Sequence, residues 1–388
     1  MNEVISVFFV VGVCRYATLV SVSSSASSND RYFPRRSVAR QLSDGLDLPG
    51  APKVVAAFDK FRGTATAEGL CAVVGDAAWE HGWSAALTPL ADGGEGTLAV
   101  LSRSGAMFRT AKVTGPLGEP VEAKWLLRGG TAYIEMALAS GLTLAGGPAG
   151  NDPLDASTIG TGQLIAEAAT AGAKRIVVTV GGSATTDGGL GALRAMEPLA
   201  RFRGIEFIVA CDVETTFVDA ARVFGPQKGA SPAQVDLLTR RLERLADDYL
   251  AARGINIREL PGGGAAGGLA GGLASIGATI TSGFSLIAEE VGLFDAIEGA
   301  TLVITGEGYC DEESFEGKVV GGVCALAAEH GVPVIVLAGD IEPGLIVPPA
   351  FIGAGVQLIS LTQRFGPDRS LTDPISCIRE LVDLLLTR

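Results

Sequence analysis

Most of the residues able to do chemistry in this sequence fall in five loops: 59–63 "DKFRG", 92–96 "DGGEG", 181–189 "GGSATTDGG", 225–229 "GPQKG" and 306–318 "GEGYCDEESFEGK". Each combines glycines, which let a backbone close in on a ligand, with carboxylates or a cation. Carboxylates at strand ends, such as Asp59, Asp92, Asp187 and Asp212, suit Mg2+ binding and removal of a proton from an alcohol. Lys60, Arg62 and Lys228 suit a phosphate or a carboxylate. Any one of these loops alone is an ordinary turn. No stretch fits the Walker A pattern or the protein-kinase set. "PGGGAAGG" has GxGxxG spacing at 262, 264 and 267, but no apolar strand leads into it, which argues against a dinucleotide fingerprint.

The loops punctuate an alternation of strand and helix patterns. Apolar runs at "KVVAAF" (53–58), "SAALTPL" (84–90), "RIVVTVG", "FIVACDV" (207–213), "TLVIT", "VPVIVLAG" and "VQLISLT" read as strands. Helical patterns follow most of them; a long charged one covers about 232–253, another about 285–299, and "DPISCIRELVDLLL" closes the chain. "MFRTAKVT", "EPVEAKWLLR" and "TAYIEMA" read as a β-meander in the middle. The pattern predicts an α/β fold of two domains. A Rossmann-like, doubly wound domain, discontinuous in sequence, takes 51–90 plus 285–388, and a second α/β domain, 91–284, is inserted in it. In such open sheets ligands bind outside the carboxyl ends of strands, where helix N-termini offer free amides to phosphate.

Composition removes several function classes. The 388 residues carry a net charge of −13, with Lys and Arg scattered, so there is no basic stripe for nucleic acid. The 53 glycines exceed the usual share of roughly 7% without a collagen period, so they belong to loops. Six cysteines (14, 71, 211, 310, 324, 377) form no CxxC pair and read as buried thiols of a reducing cytoplasm. His81 and His330 each precede a glycine at the end of a helical pattern, which makes a His-based zinc site or Ser-His-Asp triad improbable. Residues 1–50 are different: an apolar run broken by Arg15, then the Ser-rich "SVSSSASSNDRYFPRRS". They read as a loosely ordered extension rather than a membrane span, with folded structure beginning near Lys53.

Taken in order, the loops resemble the bacterial glycerate kinases of the glycerate 2-kinase type. The resemblance rests on "AAFDKFRG", Ala91–Thr97 "ADGGEGT", Val113–Val121 "VTGPLGEPV", 134–142 "IEMALASGL" and 157–165 "STIGTGQLI". It continues through 181–191 "GGSATTDGGLG", 210–213 "ACDV", 223–230 "VFGPQKGA", 261–269 "PGGGAAGGL" and 303–308 "VITGEG", covering about 53–388. It implies transfer of phosphate from ATP, with Mg2+, to D-glycerate, giving 2-phosphoglycerate; the partner is that small molecule, with no nucleic acid and no membrane. A monomer or homodimer is expected. Alternatives are a binder without turnover, a kinase of another small hydroxy acid, or a 3-phosphoglycerate product.

Under this reading Asp187 or Asp212 takes the hydroxyl proton, both are candidate metal ligands, and Lys60 joins them as catalytic. Lys60 and Arg62 hold an anionic group, either the acid's carboxylate or the moving phosphoryl. Asp59, Arg62, Asp92, Gly93, Gly94, Glu95, Ser183, Thr185 and Lys228 are expected at the substrate. Gly181, Gly182, Gly188, Gly306, Glu307 and Gly308 are expected at the nucleotide. Several departures from the family pattern stand out: Lys60 replaces Ser, Arg62 replaces Lys, and the stretch from Gly191 to Phe207 is shorter by roughly a hairpin. Around the loops, "ETTFVDA" follows "ACDV", and "GEGYCDEES" stands in place of an Arg- and Gln-bearing loop.

Overall fold

The computed structural model describes residues 47–102, 106–352 and 355–387. The expected extension up to residue 46, with Cys14, lies outside them. Chain before Lys53 already takes part in the fold. Leu48 N–H donates to Ser84 Oγ at 2.9 Å, and Ser84 Oγ donates back to Leu48 O at 3.1 Å.

The strands are β1 (Lys53–Phe58), β2 (Ser84–Leu87), β3 (Met107–Thr114), β4 (Pro120–Arg128), β5 (Thr131–Glu135), β6 (Arg175–Thr179) and β7 (Glu206–Ala210). They continue with β8 (Thr279–Thr281), β9 (Leu302–Gly306), β10 (Tyr309–Cys310), β11 (Val334–Ala338), β12 (Asp340–Ile341) and β13 (Gln357–Ser360). One sheet has the order β13-β11-β9-β1-β2 and is parallel throughout. Counted along the chain within that sheet, this is the doubly wound order 2-1-3-4-5, whose direction of winding reverses between β1 and β9. The other large sheet runs β3-β4-β5-β6-β7-β8, antiparallel up to β5 and parallel beyond it. β10 and β12 form a short parallel pair.

The period-two geometry of strands explains why these runs are apolar on both sides. Val54, Ala56 and Phe58 of β1 enter a core with Leu70 and Val74 of the helix Ala67–Glu80 and Ile378 and Leu381 of the helix Pro374–Leu386. Val55 and Ala57 face the other way, onto Val320 and Val323 of the helix Val319–Glu329. That second core also takes Leu126, Tyr133, Val177 and Ile208 from the other large sheet. The two sheets therefore share apolar packing. Trp125, Ile134, Val178 and Val209, on the opposite face, form a third core with Leu164, Leu242 and Leu269. Each such buried aliphatic side chain stabilises by about 1.5–3 kcal/mol relative to exposure.

Several expectations shift in detail. The helix expected over about 285–299 is two, Gly283–Glu290 and Leu293–Ile297, because Gly292 between them sits at φ +73°. "VQLISLT" is strand only to Ser360, whose side chain then caps a short helix, Leu361–Phe365. The long charged helix is Pro232–Arg253, opened by a capping box of Ser231 and Gln234. The "PGGGAAGG" stretch opens a helix, Ala265–Ala274, with Ala266, Gly267 and Gly268 at positive φ. His81 and His330 are both helix C-caps, and Cys71, Cys211, Cys310, Cys324 and Cys377 are all buried thiols. Among the described residues no helix is long and apolar enough to cross a membrane.

Gly306 of β9 leaves no room for a side chain, since a Cβ there would lie 1.9 Å from Leu337 O of β11. Gly306→Ala should therefore destabilise the protein by roughly 1–3 kcal/mol, the usual cost of overpacking. Urea denaturation measures it. A variant within experimental error of wild type would mean the strands separate freely at this point.

Candidate active site

The reversal of winding between β1 and β9 leaves a crevice beyond their carboxyl ends. Phe58 and Gly306 are register partners, and Asp59 N–H donates to Gly306 O at 3.1 Å. Asp59 and Glu307, the next residues on the two strands, thus start side by side at the place where such sheets bind ligands. They line a cavity of about 520 Å³ with Lys60, Arg62, Asp92 and Lys318. Gly308 and Asp340 complete this side, and Gly308 O accepts from Asp340 N–H at 3.0 Å.

The 92–96 loop bridges from this crevice to the strand ends of the second sheet. A Cβ on Gly181, after β6, would stand 2.8 Å from Gly94 Cα, so only a glycine at 181 allows that approach. Gly93 packs on Ala210, the last residue of β7, and on Gly283. Lys60 Nζ reaches across and donates to Glu95 O. Glu135, at the end of β5, accepts from Leu98 N–H at 2.8 Å. Asp212, two residues past β7, accepts from Ser282 Oγ at 2.9 Å, Gly283 N–H at 2.7 Å and Phe284 N–H at 3.0 Å, and so caps the helix Gly283–Glu290. It lines a neighbouring cavity of about 930 Å³ that shares Lys318 with the first.

Electrostatics set these carboxylates apart. Burial, with the charge of Asp92 adding, raises Asp59 to about 6 against the pull of the Lys60 charge, the Lys60 N–H and Arg62. Burial also raises Asp212 to about 6 against its three hydrogen-bond donors, again with Asp92 adding to the rise. Glu307 is raised to about 7 by burial and by Asp59, despite a hydrogen bond from Ser314 and the charge of Lys318. Its Oε1 is buried with no hydrogen-bond partner. Glu135 is raised by burial, although Leu98 and Gly96 N–H groups and Lys60 pull it down. Lys318 is raised: burial works against its charge, but a 2.8 Å hydrogen bond to Glu313 and the surrounding acids outweigh that. A group of desolvated acids with few cations among them is the kind of place where proton abstraction and cation binding are both favoured.

The pattern describing the Glycerate kinase family matches residues 54–200 and 196–364. The chain belongs to the glycerate kinase family. It is 39% identical to "Glycerate 2-kinase" of Escherichia coli (strain K12) over 291 residues, 65% of this chain and 75% of that protein. It is 37% identical to "Glycerate kinase" of Bacillus subtilis (strain 168) over 332 residues, 75% of this chain and 85% of that protein. A crystal structure from Salmonella typhimurium LT2, described as a proposed glycerate kinase 2, superimposes with a TM-score of 0.72 at 31% identity, covering 87% of this chain and 98% of that one. The protein is accordingly a kinase, a phosphotransferase with the α/β fold of this family.

Within this glycerate kinase family fold, the residues singled out in the sequence divide into two groups. Asp59, Lys60, Arg62, Asp92, Gly93, Gly94, Glu95, Gly181, Asp212, Gly306, Glu307 and Gly308 gather around the carboxylate cluster. The others make their hydrogen bonds elsewhere. Asp187 lines a different cavity and accepts from Thr158 N–H (2.9 Å), Thr158 Oγ1 (2.8 Å), Gly189 N–H and Gly191 N–H (3.1 Å each), so its lone pairs are already engaged. Gly188 N–H is spent on Gly267 O, and Gly188 O accepts from Tyr249 Oη at 3.1 Å, which leaves no amide for a phosphate. Lys228 is buried; its Nζ donates to Ser183 Oγ at 2.8 Å and Thr185 O at 2.7 Å, and burial lowers it to about 7 against the pull of Asp187. Gly182 O accepts from Leu142 N–H at 2.8 Å. Ser183, Thr185 and Lys228 thus form an internal clamp that shapes the 181–189 loop. Sequence reasoning passed over Lys318, Glu135 and Asp340. Lys318 carried one usable signal: it ends a glycine-rich loop where a helix begins.

The raised acids make a signed prediction. Between about pH 4 and 7 the folded protein holds more protons on Asp59, Asp212 and Glu307 than the unfolded chain, so these groups lower stability as pH rises. Asp92→Asn removes the neighbouring charge that raises two of them. Its urea midpoint should exceed that of wild type more at pH 7.5 than at pH 5. An unchanged difference between the two pH values would show that Asp92 does not feel the other acids.

Proposed function

We propose that the protein transfers the γ-phosphoryl group of ATP to the 2-hydroxyl of D-glycerate, giving 2-phosphoglycerate and ADP. The observation that carries this reading is the cluster of desolvated acids with Lys60, Arg62 and Lys318 at the reversal between β1 and β9, in a chain of the glycerate kinase family. The name of the Escherichia coli relative supports the 2-hydroxyl.

Asp59 is the base in this scheme, in place of the expected Asp187 or Asp212. Its Oδ1 accepts from Lys60 N–H at 2.7 Å, Oδ2 has no donor among the described residues, and its raised pKa suits proton transfer near neutrality. Arg62, exposed beside it, and Lys60 hold the acid's carboxylate. Lys318 and the amides around Gly308 face the ATP phosphates. The hydroxyl oxygen attacks the γ-phosphorus, the bond from that phosphorus to the bridging oxygen breaks, ADP departs, and the hydroxyl proton passes to Asp59. Asp92 and Asp212 fit Mg2+, because one or two carboxylates plus substrate phosphates are its usual set and Asp92 raises the pKa of Asp212. When bound, Mg2+ would neutralise phosphate charge. Asp187 and Lys228 position the 181–189 loop. The segments 51–90 with 285–388, and 91–284, act as the two domains, in a cytoplasmic monomer or homodimer.

Mg-ATP and D-glycerate should give a signal when coupled to enolase alone, which consumes 2-phosphoglycerate. Asp59→Asn should keep the melting temperature and lower kcat about 10²–10⁴-fold. A signal that needs added phosphoglycerate mutase would move the phosphate to the 3-hydroxyl. An Asn variant within a few-fold of wild type would remove Asp59 from the proton's path.

A further inference from the structure

The far end of the 181–189 loop, at Thr186 and Asp187, walls a cavity of about 630 Å³ that the phosphotransfer scheme does not use. Arg194 stands in one wall; Arg240, Arg241 and Arg244 stand in another. The last three belong to the helix Pro232–Arg253, and their spacing puts them on one stripe with Leu237 and Leu245. Among the described residues, Arg128, Arg175, Arg222, Arg258, Arg369 and Arg379 pair with carboxylates, but none of these four does. Arg241 spends one N–H on Leu154 O at 3.0 Å, and the other three have no protein acceptor among the described residues. Asp155, Asp187 and Asp248 also line the space, yet Asp187 is saturated by its own donors and the other two lie beyond ion-pair distance of any arginine.

A second feature also points to a ligand. Thr186 is 3% exposed, and its buried Oγ1 has no hydrogen-bond partner. A buried hydroxyl left unpaired is costly unless something supplies its bond. The wall at Arg194 also borders the place where the chain is shorter than its family pattern and where the family match divides, at 196–200.

In a chain of net charge −13, four unpaired guanidinium groups around an apolar floor are a recognition surface for a multiply charged oxyanion. We infer that this cavity binds a phosphate ester of a small molecule, separate from the acids at β1 and β9. Its phosphate takes the arginines, and its body takes Leu237 and Leu245. The ester can come from two sources, a nucleotide or a phosphorylated small acid. The site is connected to the catalytic region, since Gly181, at the other end of the same loop, packs on Gly94.

Calorimetric titration of the full chain with inorganic pyrophosphate tests this. In Arg240→Gln/Arg244→Gln, affinity should fall at least roughly tenfold, while kcat and the KM for ATP and glycerate stay unchanged. Arg194→Gln, from the opposite wall, should reproduce the loss, and circular dichroism confirms that each variant folds. Displacement of pyrophosphate by AMP would identify a nucleotide, and displacement by 3-phosphoglycerate a phosphorylated acid. Equal pyrophosphate affinity in wild type and both variants would overturn the proposal. So would a parallel rise in the KM for ATP, which would make the cavity the reaction's own nucleotide site, or failure of both esters to displace the probe.

Discussion

Burial of carboxylates at the strand ends of both sheets is the constraint around which this site is arranged. Asp59 and Asp212 hang from different sheets, yet the charge of Asp92 raises the pKa of both. Burial does more than the neighbouring charge in each case, so the acids are held in a place that disfavours their own ionisation. Folding tolerates this because the apolar packing beneath is extensive and continuous from one sheet to the other. Burial thus leaves acids that favour their protonated form up to about pH 6, a property that suits proton transfer from an alcohol.

Glycines make the crowding geometrically possible. Gly181 lets β6 deliver its loop onto Gly94, and Gly93 lets the same loop lie against Ala210 and Gly283. Any side chain there would push the second sheet's strand ends away from Lys60 and Asp59. Behind the loop, Lys228 and Asp187 fix its shape from inside, one by donating to Ser183 and Thr185, the other by gathering donors from 158, 189 and 191. Two charged groups that look catalytic in a linear reading thus make their hydrogen bonds within the protein.

The strands were legible because parallel strands buried on both faces read as uninterrupted apolar runs, as in "KVVAAF" and "VIVLA". Asp59, Asp92 and Asp212 were legible because each follows a strand or sits in a glycine loop, and the α/β rule places strand ends together. The internal bonding of Asp187 and Lys228 was not legible for a physical reason: much of it comes from residues distant in sequence, Thr158 for Asp187 and Ser183 for Lys228. The order 2-1-3-4-5, which makes the gap between β1 and β9 the decisive one, is likewise a tertiary fact that periodicity does not encode. The helix break at Gly292 had a signal, the glycine itself, but many helices absorb one glycine.

Titration of Mg2+ into the nucleotide-free protein, by calorimetry in two buffers of different ionisation enthalpy, tests the carboxylate cluster most directly. With acids titrating at about 6, cation binding at pH 6 must displace protons, so the heat should depend on the buffer. At pH 8 that dependence should vanish, and Asp92→Asn should weaken binding at both pH values. Buffer-independent heats at pH 6, or undiminished binding in Asp92→Asn, would contradict the claim that these acids are crowded together to receive a cation.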